Sequence, residues 1–124
     1  MVALVKDLMG TGFADLQANA VGWNPIAAVT AAGSAATDAT VLKKAQNFVN
    51  MTATGADGIK LPADAPLNKP YVVFNGSGST GLVYPNTGGN LNGGTTDAAL
   101  SMTTHKQAIF IRYSTLGWAY NLTA

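Results

Sequence analysis

The sequence predicts an all-β protein, a small jelly-roll-like sandwich or barrel carrying a short helical N-terminal arm. Three observations point there. The six acidic residues are all Asp and none is Glu, a good helix former, while Gly, Thr, Asn and Ser are abundant. The stretch His105 to Tyr113, HKQAIFIRY, alternates strictly, with Ile109, Ile111 and Tyr113 on one side and Phe110 and Arg112 on the other. Several further short strand-like runs follow one another closely, with turn signals between them. A chain of 124 residues that is 48% hydrophobic can bury a core of its own. The division expected is an arm over residues 1–24 and one β domain over 25–124.

In the arm, Val5, Leu8, Met9, Phe13 and Leu16 recur at roughly helical spacing, with Lys6, Asp7 and Asp15 between them. Gly10 and Gly12 break the run, which suits two short helices around a turn. So short a stripe cannot bury itself. It needs the main domain, a sister chain or a partner, and these five residues are the candidate contact set. Trp23-Asn24-Pro25 reads as the boundary, because Pro turns the residue before it away from helix.

Pro25 to Ala36 reads as extended, with a break at Gly33-Ser34. The stretch Thr37 to Met51 permits a helix, but the alternation supports a strand from about Asn47 to Ala53. Ile59-Lys60-Leu61 is a short strand stopped by Pro62. Tyr71 to Asn75 is strand-forming and runs into a Gly/Ser loop, from which Leu82-Val83-Tyr84 emerges and stops at Pro85. These two runs read as a β-hairpin. Ala98 to Met102 and Trp118 to Leu122 complete the set. No convincing internal repeat is visible.

The Gly/Ser loop spells G-x-G-x-x-G through Gly76, Gly78 and Gly81. In a dinucleotide-binding fold that spelling opens a helix whose N-terminal N–H groups hold a pyrophosphate. Here the residues after it are β-prone and broken by proline, so the loop reads as a connection between strands. His105 is the only histidine, which leaves no multi-histidine metal site within one chain. Asp57 and Asp64 are the only acidic pair near enough to suggest paired-carboxylate chemistry. Asp38, Asp57 and Asp97 fit better as turn residues that bond backbone N–H groups. Trp23, Tyr71, Tyr84, Tyr113, Trp118 and Tyr120 could stack on sugars, although alternating aromatics in a β domain suit a core. A net charge of +1 with no basic cluster beyond Lys43-Lys44 argues against nucleic acid. No apolar run approaches the roughly 20 residues that span a bilayer. There is no cysteine for disulfides or thiolate ligands, and no export signal is recognisable. The sequons at Asn50, Asn75 and Asn121 therefore carry little weight.

The run from TAAGSAATDAT through ATGADGIKLP, YVVFN and LVYPNTGGNLNG to LGWAYNL resembles a family of small tailed-bacteriophage virion proteins, the capsid decoration (cement) and head-fibre proteins. The resemblance covers roughly residues 30–122 and rests on turns and core positions. It implies a homotrimer on the capsid surface of the virion, made in the host cytoplasm and bound to the major capsid protein. It implies no catalytic residue, cofactor or metal. The alternative it leaves is a fibre or receptor-binding module touching host-surface glycan; a non-viral binding domain or an enzyme stands further off.

Overall fold

In the computed structural model, residues 25–51 and 57–123 are described, and they form ten strands and no helix. The strands are β1 (Pro25–Thr30), β2 (Thr40–Val41), β3 (Gln46–Asn50), β4 (Gly58–Lys60), β5 (Pro70–Asn75), β6 (Gly81–Tyr84), β7 (Asn90–Leu91), β8 (Leu100–Met102), β9 (Gln107–Arg112) and β10 (Gly117–Leu122). The helical arm expected over residues 1–24, with Val5, Leu8, Met9, Phe13 and Leu16, lies outside the described residues.

The all-β expectation holds, but the strand order is not that of a jelly roll. Odd-numbered strands build one sheet, in the order β1-β3-β5-β9-β10 with β7 at its far edge, except that β10 also belongs there. Even-numbered strands β2-β4-β6-β8 build the other. The chain therefore passes from sheet to sheet at each of its first connections, and β1, β3 and β5 lie parallel, as do β2, β4 and β6. This is a solenoid-like coil of two facing sheets. Among the described residues only β9 and β10 join as a hairpin. β9 pairs antiparallel with β5, β10 antiparallel with β9, and β8 antiparallel with β6.

The hairpin expected from Tyr71 to Tyr84 is consequently absent. β5 and β6 are in different sheets, and the Gly/Ser loop carries the chain across the core from one to the other. Coil length varies, which hides the repeat. Pro25 stands opposite Gln46, 21 residues on, whereas Gln46 stands opposite Val72, 26 residues on.

One apolar cluster lies between the sheets. Val49, Val73, Phe110 and Trp118 enter from the larger sheet, and Ile59, Val83 and Met102 from the smaller. The alternation in β9 is as the sequence suggests: Ala108, Phe110 and Arg112 point inward while Ile109 and Ile111 point out. A second, small cluster covers the back of the smaller sheet, where Tyr84 packs with Ala36 and Ala39 and its hydroxyl donates to the Ser34 carbonyl at 2.8 Å. Gly58 permits this, since a Cβ there would meet the Tyr84 ring at 2.8 Å.

Four polar side chains among the described residues are buried, Asn47, Asn75, Asn86 and Arg112, and Asn86 accepts from the Trp118 indole. Arg112 donates Nη1 to the carbonyls of Ala63 and Ala65 (2.8 and 2.7 Å), Nε to Ser114 (3.2 Å) and Nη2 to Thr115. It thereby ties the loop after β4 to the β9–β10 turn. Asn75 is fully buried and holds the Gly/Ser loop in place. Asn47 donates to Lys44 and Val72, and its Oδ1 has no partner among the described residues.

Candidate functional site

The residues singled out for chemistry do not converge on a site. His105 is exposed at the turn before β9, with φ of 58°, and its backbone N–H bonds the Asn75 carbonyl at 2.9 Å. Asp38 accepts the Ala35 N–H at 2.8 Å and Asp97 that of Gly88 at 2.7 Å, the turn roles expected of them. Asp57 precedes β4, and Asp64 sits in the proline-containing loop near Tyr71. Among the described residues no group of three or more His, Asp, Glu or Cys could hold a metal ion. In the G-x-G-x-x-G loop, Gly76 and Gly78 are exposed and Gly81 opens β6, so a strand stands where a phosphate-binding helix would start. Asn75, one of the sequon asparagines, has its amide wholly engaged inside the fold.

The aromatics divide. Trp118, Tyr71 and Tyr84 are buried, Tyr120 is half-buried, and Tyr113 is exposed at the β9–β10 turn. Trp118 forms an edge-to-face pair with Tyr71 (centroids 5.9 Å apart) and donates Nε1 to Asn86 at 2.7 Å. Trp23 lies outside the described residues. A continuous sugar-stacking platform of all six is therefore excluded by the burial of three of them.

Burial pushes the Tyr71 phenol above its ordinary 10.0, the negative charge of Asp64 adds to the rise, and Arg112 partly opposes it. Tyr84 is raised by burial and then by Asp38. A phenol whose folded value is raised stabilises the fold fully below its unfolded value. That contribution is lost as pH climbs through the folded value, so the window lies above about pH 10. Tyr71→Phe should therefore lose stability less steeply than wild type over that range, measured as urea midpoints. Identical slopes would contradict this placement of Tyr71.

What the fold does present is a broad outer face on the six-stranded sheet. Phe48 is 48% exposed, Ile109 41% and Ile111 39%, against the usual burial of such side chains. Register brings them together: Phe48 is opposite Phe74, Val72 opposite Ile109, and Ala119 opposite Ile111. Phe48 and Phe74 meet edge to face at 5.9 Å. Beside them is a shallow hollow of about 390 Å³ bounded by Gln46, Phe48, Val72, Phe74 and Gln107. The sequence held this signal in the unused half of each alternation. It was missed because Phe110 and Ile109 are equally apolar, so the pattern does not say which side is inside.

Fold and surface together define an all-β, solenoid-like protein with an uncharged apolar sheet face. No family model matches the chain, and no curated protein matches it. Among the described residues no helix is long and apolar enough to cross a membrane.

Proposed function

We propose that this chain is a structural virion protein that binds the outer surface of a phage capsid as a trimer and stabilises the shell. The observation that carries the reading is the broad uncharged apolar face on a chain whose titratable groups are scattered in turns. Exposed apolar patches of this kind mark association surfaces. The sequence resemblance to decoration and head-fibre proteins supplies the particular assembly. A lattice-binding trimer gains by avidity, since weak contacts made by three linked copies act together. The apolar arm residues Val5, Leu8, Met9, Phe13 and Leu16 are assigned to a capsid or inter-subunit contact.

Two measurements test this reading. Adding the purified protein to undecorated capsids should raise the temperature at which the shells open. Deleting residues 1–22 should weaken capsid binding at least ~10-fold, the size expected when linked contacts are lost together. Unchanged binding by the deleted chain would remove the arm from the interface, and absence of the chain from purified particles would end the reading.

A fibre module is the second reading, and Tyr113 is the observation that favours it. It is 51% exposed beside the 47% exposed Leu116 at one turn, as a glycan-stacking tip requires. A glycan-array signal lost on Tyr113→Ala, together with a location on the tail, would select it.

A further inference from the structure

We propose that the outer face of the six-stranded sheet is the surface through which copies of this chain associate. The proposal deepens the capsid-decoration reading and rests on it only for the copy number of three.

The argument starts from the outward positions of four adjacent strands. Phe48, Val72, Phe74, Ile109, Ile111 and Ala119 form a continuous apolar field, because the pairings of β3 with β5, β5 with β9 and β9 with β10 place them side by side. Neighbouring strands lie about 4.8 Å apart, so the field spans four strands of the sheet. None of the outward positions on these strands carries a charge.

Charge decides the occupant. The polar residues on the same face are amides, Gln46 and Asn50 on β3, Gln107 on β9 and Asn121 on β10. An amide both donates and accepts, so a face bordered by amides can be satisfied by an identical face. An anionic lipid surface or a nucleic acid would call for a basic rim, and an acidic or basic partner for opposite charge. The face offers neither. Depletion of charge around an apolar centre is also the composition of interfaces between identical subunits. In a threefold ring the contacts are heterologous, so the field of each copy turns toward the axis and meets its neighbours along its two flanks. Only a two-copy assembly would set identical patches directly against each other.

Mass measurement on the free protein tests this without any capsid. Light scattering after gel filtration should give three times the 12.7 kDa chain at micromolar concentration. Ile109→Lys and Phe48→Ser should each shift the species to one chain. Ile109→Thr, which keeps a β-branched strand former, should raise the dissociation constant at least tenfold while the circular dichroism of the strands is unchanged. Leu67→Ser removes an equally exposed apolar side chain, 56% accessible but outside the face, and should leave the mass unaltered. A monomeric wild type would overturn the proposal, as would face variants that fold and keep the wild-type mass. A stable assembly of two copies would retain the face but reject the threefold count. A wild-type trimer that does not bind undecorated capsids would count against the decoration reading alone. If a trimer persists in the face variants yet capsid binding disappears, the face belongs to the capsid contact and the proposal falls.

Discussion

Arg112→Ala should lower the unfolding free energy by about 3–5 kcal/mol, read from urea denaturation of the purified protein. The side chain is only 7% exposed and donates to four carbonyls, those of Ala63, Ala65, Ser114 and Thr115. A hydrogen bond from a charged group contributes about 1.5–3 kcal/mol, and an acceptor left buried without a donor costs more than the bond gained. The guanidinium also lies over the Trp118 ring, 5.9 Å from its centroid, so truncation loosens the largest buried side chain as well. Arg112→Lys should recover only part of the loss, because an ammonium cannot spread its donors in the planar fork that these carbonyls surround. A deficit below about 1 kcal/mol for the Ala variant would mean that water replaces the guanidinium at little cost.

Asn75→Asp should be nearly as damaging, by about 3–5 kcal/mol at neutral pH. Nδ2 faces the carbonyls of Ser79, Met102 and Thr103 at 2.8, 3.1 and 3.3 Å, while Oδ1 accepts from the Ser77 N–H and hydroxyl. Aspartate keeps the accepting half and turns the donating half into a carboxylate oxygen aimed at three carbonyls in a fully buried site. Protonation removes that charge and restores one donor. Burial raises the folded value of the new carboxyl above its unfolded value near 3.9, so its penalty is smallest below about pH 4 and grows as pH rises through the folded value. The gap between wild type and variant in urea midpoint should accordingly narrow on acidification from pH 7 to pH 4. A gap independent of pH would show that the carboxylate has escaped to solvent and the loop has opened.

These two residues also show where sequence and structure part company. The alternation of β9 and the punctuation by Gly and Pro make the strands legible, and β5, β9 and β10 fall where the pattern puts them. Alternation reports that one side of a strand is buried. It is silent on whether the neighbouring strand is parallel or antiparallel, so a coil of two sheets and a jelly roll leave the same trace. The turn between Asn75 and Gly81 reads as a hairpin tip because its residues suit any reversal; only the pairings show that it crosses between sheets. Arg112 is a charged residue in an alternating run, and its burial becomes intelligible only with the two carbonyls contributed by the loop after β4, 49 and 47 residues earlier. The apolar outer face was the least legible feature. Its apolar residues occupy the positions that a sequence-based reading assigns to either side of a strand.

The placement of β9 has a consequence for synthesis. The strand sits in the interior of its sheet, between β5 and β10, yet it comes late in the chain. Until residues 107–122 have left the ribosome, β5 has no neighbour on one flank and β7 has no partner at all. The parallel strands made earlier can stack on one another, but the sheet stays split into two unjoined parts. Closure of the core is thus deferred to the last hairpin, and a nascent chain stalled before Gln107 would hold an unpaired edge where the finished protein has none.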